Sequence, residues 1–472
     1  MKNILIITYY FPPKSEIGGI RLYGLAKYLQ EFGWKPIIFT TTLPGKPDSS
    51  LKIIQVPSTD VVAQWKKRFY LNPDQSLNTQ FDLQSEKNKP SIANRLVFLP
   101  NEIITYPDSQ IGWYDSAVSA GDEIIRSENI DVILSSSFPV TAHLIAQNLS
   151  KRYHTPWIAD FRDLWTQNHY FNHTRIRRYF EIRLEVKTIK QASAITTVSE
   201  PLAQKLSGLH RNKPIYSIPN GFDPTLINPG IPINDRFSIV YTGALYQGKR
   251  DPAQLFEAIH FLRNNGLIGQ DDVQIDMYGP HEHWLRNDIE KNHLQDVVTL
   301  NGIVTRERAI TEQQRAQLLL LLTWNNPAEE GVYTGKLFEY LAARRPILSL
   351  GYTEGGVVRE LLDQTQAGVH CSNEAELREY LLKAYREYKE LGAVQYRGIE
   401  AEVMKYSHRE MARKFAEVLD EVTAGATLMK KRPVSGYPGG DHPQTGVECA
   451  PSPAPSSSSI PPCSLFTRRS GS

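Results

Sequence analysis

The segment Thr334-Gly335-Lys336-Leu337-Phe338-Glu339-Tyr340-Leu341 carries the densest chemistry in the sequence. Thr334 is a residue type that caps helices, and Leu337, Phe338, Leu341 and Ala342 recur at the spacing of a buried helical stripe. Lys336 and Glu339, three apart, share the other side of the first turn. The N–H groups of a helix start lack intrahelical partners and lie at the positive end of the dipole, which suits a phosphate; Lys336 adds a full charge. Glu339, one turn in, can accept hydrogen bonds from sugar or ribose hydroxyls. Read alone, Lys336 and Glu339 fit a surface ion pair equally well.

Four further stretches offer chemistry. In Tyr241-Thr242-Gly243-Ala244-Leu245-Tyr246-Gln247-Gly248-Lys249-Arg250, a glycine loop ends in two cations able to hold a diphosphate, the arginine in bidentate fashion. Pro12-Pro13-Lys14-Ser15-Glu16-Ile17-Gly18-Gly19 places Gly18 and Gly19 where backbone can approach a ligand closely, or where a turn flexes; it is not the GxGxxG of a dinucleotide site. Ser135-Ser136-Ser137-Phe138-Pro139-Val140-Thr141-Ala142-His143 puts a lone His143 in the first turn of a helix, where histidine is more often structural than catalytic. Asp160-Phe161-Arg162-Asp163 closes an apolar run with two carboxylates around an arginine, fitting an acceptor-binding corner or a structural salt bridge.

These residues all follow strand-like runs. Strands are predicted over Asn3–Tyr9, Lys35–Thr41, Asp131–Ser135, Pro156–Asp160, Ala194–Val198 and Pro214–Pro219, and again over Phe237–Thr242, Val273–Tyr278, Val297–Leu300, Leu318–Thr323, Pro346–Leu350 and Gly368–Cys371. Helical periodicity lies between them, at Arg21–Phe32, Thr141–Arg152, Pro252–Asn264 and Leu337–Arg344, with a further helix within Tyr106–Glu128. The fold class is α/β: two doubly wound parallel-sheet domains in tandem, whose strand ends hold ligands at the carboxyl edge. The expected boundaries are 1–219 for the first domain, 220–236 for a linker, 237–400 for the second domain, 401–425 for a helix returning to the first, and 426–472 for a tail. Leu43–Asn101 reads as an irregular insertion. From Pro433 to Ser472, 22 of 40 residues are Pro, Gly or Ser, a composition that predicts disorder.

Composition narrows the function. The 472 residues carry 53 Lys plus Arg against 51 Asp plus Glu, so no global field favours nucleic acid. Three cysteines without CxxC or a histidine cluster support neither a disulfide framework nor a zinc site and point to the cytoplasm. The N-terminal apolar run ends in Pro12-Pro13 and charge and reads as a strand rather than a signal peptide. The longest apolar stretch elsewhere, Ala316–Trp324, falls well short of the ~18 residues of a membrane span. Membrane contact would be peripheral, through the cation- and aromatic-rich stretches Trp65–Tyr70 and His173–Lys190, which read equally as solvated surface.

In order, the segments YYFPPKSEIGGIRLYGLAKYLQEFGW, SSSFPVTAH, PWIADFRDLW, ITTVSEPL, IPNGFD, VYTGALYQGKRDP and GKLFEYLAARRPIL resemble the GT-B glycosyltransferases of the retaining family 4 group. The resemblance covers most of residues 1–425. It implies transfer of a sugar from a nucleotide diphosphate donor to a saccharide or polyprenyl-linked acceptor, in cell-surface polysaccharide or glycan synthesis, with no cofactor and no metal. It also implies roles: Gly18 and Gly19 near the donor phosphate and acceptor, His143 on the donor sugar, Lys249 and Arg250 on the diphosphate, Glu339 on the ribose, and the backbone around Ile303 on the base. Asp160, Arg162, Asp163, Asn220, Gly243, Gly335, Lys336 and Leu337 complete the expected substrate-binding set.

Two departures stand out. The family's EX7E motif places a glutamate eight residues before Glu339, where this chain has Gly331; Glu329 and Glu330 come slightly early, and a shifted loop would let Glu330 serve. Gly243-Ala244 replaces the usual Gly-Arg, so Arg250 would supply the missing cation. Three rival readings remain: a nucleotide-sugar 2-epimerase on the same fold, a dinucleotide oxidoreductase, and a noncatalytic sugar-nucleotide binding protein.

Overall fold

The computed structural model describes residues 1–14, 17–68, 104–170, 173–228, 230–280, 282–351 and 354–431. The first sheet contains β1 (Lys2–Ile7), β2 (Trp34–Thr41), β3 (Lys52–Val56), β4 (Val132–Ser137), β5 (Trp157–Phe161), β6 (Ala194–Thr197) and β7 (Ile215–Ser217), all parallel, in the order β3-β2-β1-β4-β5-β6-β7. The second contains β8 (Phe237–Thr242), β9 (Val273–Tyr278), β10 (Val298–Gly302), β11 (Leu318–Leu322), β12 (Ile347–Leu350) and β13 (Gly368–His370), also parallel, in the order β10-β9-β8-β11-β12-β13. The α/β architecture of two parallel sheets expected from the sequence is the one observed.

Unbroken apolar runs make these sheets. Ile4 and Ile6 of β1 pack into one core layer and Leu5 and Ile7 into the layer on the opposite face, because successive side chains point to opposite sides and helices cover both. Leu318, Leu320 and Leu322 of β11 divide from Leu319 and Leu321 in the same way. In each sheet the order reverses at one place, between β1 and β4 and between β8 and β11. The loops leaving these four strands therefore splay apart at the carboxyl edge and leave room for a ligand.

The expected insertion contains structure that its sequence concealed. β3 pairs with β2 at the sheet edge, and a helix follows at Val61–Arg68. An edge strand buries little on either face, so its apolar signal is weak; of β3 only Val56 is fully buried. Residues 69–101 of that insertion lie outside the described residues, as do the side chains of the Trp65–Tyr70 cluster.

The helix His408–Lys431 runs beyond the expected end at 425, and the predicted tail lies outside the described residues from 432 onward. Met411, Ala412, Phe415, Ala416, Val418 and Leu419 on that helix join the core layer of Ile4, Ile6, Leu22 and Leu25 in the first domain. Two crossings of the chain between the domains are stitched together: Phe222 N–H donates to the Tyr406 carbonyl at 3.0 Å and His408 N–H to the Phe222 carbonyl at 2.7 Å. The buried Arg21 ties the same junction. It bonds both oxygens of Asp160 at 3.1 and 3.3 Å, the carbonyls of Ile218 and Pro219 at 2.9 and 3.0 Å, and the Asn220 side chain at 3.0 Å.

Candidate functional site

A cavity of about 480 Å³ opens between the carboxyl edges of the two sheets. Gly18, from the helix Ile17–Leu29 that follows β1, and Arg162, Asp163, Asn168, His169 and Tyr170, from the loop after β5, line one side. Tyr246, from the loop after β8, and Ala328, Val332, Tyr333 and Gly335, between β11 and the end of the next helix's first turn, line the other; Asn220, in the connection after β7, completes the lining. The expected residues Gly18, Arg162, Asp163, Asn220 and Gly335 thus meet at one place.

Cations gather beside this cavity on the second domain. Lys336, in the first turn of the helix Gly335–Ala343, places its ammonium 2.7 Å from the Tyr241 hydroxyl and 4.1 Å from the centre of that ring. Burial, with the nearby positive charge of Arg250, holds the Lys336 ammonium well below the usual lysine range. Arg250 lies 4.7 Å from the Tyr246 ring and Lys249 lies 4.5 Å from the Trp324 ring. Gly243, at a φ of 120°, is required here: a Cβ would stand 2.3 Å from Lys336 Cε. Thr334 begins the helix, but its buried hydroxyl has no hydrogen-bond partner. A helix start, two neighbouring cations and a buried hydroxyl without a partner are groups that suit an anion.

The glutamates sort differently from expectation. Glu339 pairs with Arg306 at 3.1 Å and is 3.5 Å from the Gln313 amide. Glu330 has an exposed side chain, and only its backbone is engaged, accepting from Val357 N–H at 3.0 Å. Its neighbour Glu329 is the one that faces the first domain. Buried Glu329 accepts a hydrogen bond from His169 Nε2 at 2.6 Å and another from the Tyr170 hydroxyl, bridging the domains. Gly331 shows why the motif departs: Ser199 Oγ donates to its carbonyl at 2.6 Å, and a Cβ there would sit 3.0 Å from Pro201 and 3.1 Å from Leu202. A glutamate at 331 would be forced against the first domain.

Three expected contacts are withdrawn from the cavity. His143 is fully buried, bonded through Nδ1 to Ser135 Oγ at 2.7 Å and stacked on Phe161 with ring centres 5.0 Å apart. Burial lowers its pKa to about 3, so it stays neutral. Asp160 is consumed by Arg21, Ser136 Oγ at 2.7 Å and Thr196 Oγ1 at 2.8 Å, all beneath the surface; it is the structural corner rather than the acceptor site. Leu337 packs its side chain entirely into the core, leaving only backbone for a ligand. Ile303, by contrast, is 80% exposed on the far lip after β10.

Glycines shape the remaining first-domain wall. A Cβ on Gly18 would fall 1.7 Å from Arg162 Nη1, so the bare backbone lets the guanidinium lie across the helix start, while Arg162 Nε donates to Asp163 at 3.1 Å. Gly19 packs against the backbone of Phe11, where a Cβ would stand 3.1 Å away. His169, Tyr170, Trp324 and Lys205 are cavity or clamp residues that the sequence did not single out, and Tyr246 and Glu329 were noted without this role. All but Lys205, on the helix Glu200–Leu209, sit in connections without periodicity, and only the density of aromatic and histidine residues in Asn168-His169-Tyr170 distinguished any of them. Among the described residues no group of three His, Cys, Asp or Glu side chains gathers to hold a metal, and no helix is long and apolar enough to cross a membrane.

Residues 18–226 match the model of Glycosyltransferase Family 4. No curated protein sequence matches the chain. Among solved structures, HepE from Anabaena in complex with UDP superposes with a TM-score of 0.57 at 12% identity, covering 89% of this chain and 100% of that one. The alpha,alpha-trehalose 6-phosphate synthase from Burkholderia multivorans gives 0.56 at 11% identity, over 90% and 99%. Sucrose-phosphate synthase from Thermosynechococcus elongatus gives 0.51 at 13%, over 92% and 99%. At these identities the likeness is one of fold.

Proposed function

We propose that this chain is a glycosyltransferase of family 4, and that it moves a sugar from a nucleoside diphosphate donor held by the second domain to an acceptor hydroxyl presented by the first. The observation that carries this reading is the buried, unpartnered Thr334 hydroxyl at a helix start beside Lys336 and Arg250, at the edge of the cavity between the two sheets. HepE has been solved with UDP in complex, which agrees with a donor of that class. As the anomeric bond breaks, negative charge develops on the departing diphosphate. The N–H groups of the Gly335 turn, Lys336, Arg250 and Lys249 would stabilise it electrostatically, and preorganised charge of this kind is the largest source of acceleration in such sites. Glu339, already aimed at Arg306, would hold ribose hydroxyls, and the Glu329 clamp keeps the domains together so that water is excluded.

Retention of configuration, a saccharide or polyprenyl-linked acceptor, and a role in cell-surface glycan synthesis complete the proposal as expectations from the family resemblance. The test is thermal stabilisation by UDP, GDP, ADP, CMP and NAD, followed by donor hydrolysis with the nucleotide that stabilises. At a ligand concentration of about 100 Kd, stabilisation of ~2.7 kcal/mol is expected from one nucleoside diphosphate. Arg250→Ala and Lys249→Ala should lower turnover by orders of magnitude without unfolding the protein. Stabilisation by NAD alone, or by none of the five, overturns the reading.

A further inference from the structure

The helix Arg175–Ile189 continues from the loop that supplies Arg162, Asp163, His169 and Tyr170 to the cavity. It carries the largest concentration of exposed apolar side chains on the described surface: Ile176 is 72% exposed, Tyr179 and Phe180 54% each, and Val186 39%. Residues 176, 179, 180, 183, 186, 187 and 190 follow one another at helical spacing, so these four share a stripe with Arg183, Lys187 and Lys190, while Arg175 flanks it. All four of those cations are exposed.

The acids of the same helix are absent from that stripe. Glu181 is buried and accepts from Arg177 Nε at 2.7 Å and His173 Nδ1 at 2.8 Å. Glu185 is buried and accepts from Thr166 N–H at 3.0 Å, Thr166 Oγ1 at 2.6 Å and His210 Nε2 at 3.1 Å. Glu181 is thereby spent within the helix and its N-terminal flank and Glu185 on holding the helix to the rest of the first domain, and the outward face is left with apolar and cationic groups only. A face meant for water alone would gain nothing from exposing a phenylalanine, a tyrosine and an isoleucine within five residues. A face meant for an ordinary protein partner would not be all-cationic along its rim.

We propose that this stripe docks on an anionic phospholipid bilayer, with Ile176, Tyr179, Phe180 and Val186 at the headgroup boundary and Arg175, Arg183, Lys187 and Lys190 on lipid phosphates. Helices that lie in the plane of a membrane interface combine apolar and basic side chains in this manner. The consequence for the glycosyltransferase reading, on which only this last step rests, is positional. Tyr170 and Arg175 are five residues apart, at most ~18 Å of extended chain, so docking brings the first-domain wall of the cavity close to the lipid surface, where a lipid-linked acceptor would be presented.

The test measures binding of the full chain, without donor or acceptor, to sedimenting vesicles of phosphatidylcholine with increasing phosphatidylglycerol. Partition should rise with phosphatidylglycerol and fall as salt is added. Arg183→Glu with Lys187→Glu should weaken it by more than about tenfold, given about fivefold for each cation near the surface. Ile176→Ser with Phe180→Ser should weaken it severalfold at fixed lipid composition. Unchanged nucleotide-induced thermal stabilisation in both double variants shows that fold and donor site are intact, so failure to dock and failure of the transferase reading register separately. Equal binding of wild type and the charge-reversed variant, no preference for phosphatidylglycerol, or displacement by RNA at matched phosphate concentration would each overturn the proposal.

Discussion

Lys336→Met is expected to act in opposite directions on stability and on ligand binding. In the free protein the ammonium is desolvated and faces the like charge of Arg250, with the Tyr241 hydroxyl at 2.7 Å as compensation. A lysine whose pKa is lowered on folding destabilises the folded state while it is charged, because the unfolded chain holds the proton more firmly. That cost is fully present below the folded pKa and fades as pH rises toward the ordinary lysine value. Methionine keeps the apolar stem and removes the charge, so the unliganded variant should melt no lower than wild type, and about 2–4 °C higher for each kcal/mol relieved. The bound diphosphate, however, loses a charge-assisted hydrogen bond of ~1.5–3 kcal/mol, about 10–150-fold in Kd. Because an anion restores the lysine's affinity for its proton, wild-type binding should also tighten as pH falls toward ~6.5, above the range where the nucleotide's own phosphate takes up a proton; the variant should lose this slope. Scanning fluorimetry and titration calorimetry from pH 6.5 to 9 measure all three. A variant that melts several degrees lower yet binds nucleoside diphosphate within twofold of wild type would refute the reasoning.

Glu329→Ala removes the carboxylate joining His169 and Tyr170 across the cavity, and the unliganded protein should open; small-angle scattering should give a larger radius of gyration that nucleotide partly restores, and identical curves would show that the clamp does not hold the domains. Acid should also unfold the protein early. His143 and His408 have pKa values lowered by burial to about 3 and about 4, so the unfolded chain binds the protons first and stability should fall as pH drops from 6.5, by up to ~1.4 kcal/mol per pH unit for each. Urea unfolding at pH 7.5 and 5.5 measures the loss, and His143→Leu should shrink it.

The strands were legible because fully buried parallel strands are written as unbroken apolar runs, as in Leu318–Leu322, whereas β3 was hidden by its place at the edge. The helix start at Thr334 and the cations after β8 were legible because phosphate chemistry needs local groups in a fixed order. What escaped were pairings between distant parts of the chain. Asp160 looked like a ligand because nothing in its neighbourhood reveals Arg21, 139 residues away, and Glu329 differs from Glu330 only through contacts with His169 and Tyr170. Gly331, an anomaly against the motif, is explained by a hydroxyl from Ser199, 132 residues earlier.

The helix that completes the first domain's core is the last one described, and this orders events during synthesis. β7 ends at Ser217, but Phe415 and Leu419, which fill the layer against Ile4 and Leu25, emerge about two hundred residues later. At ~5–20 residues per second the ribosome takes tens of seconds to supply them. Throughout that interval the nascent first domain presents an apolar groove along Ile4, Ile6 and Leu22 with its own sheet otherwise complete, so the second domain is translated while the first is still waiting for its final element.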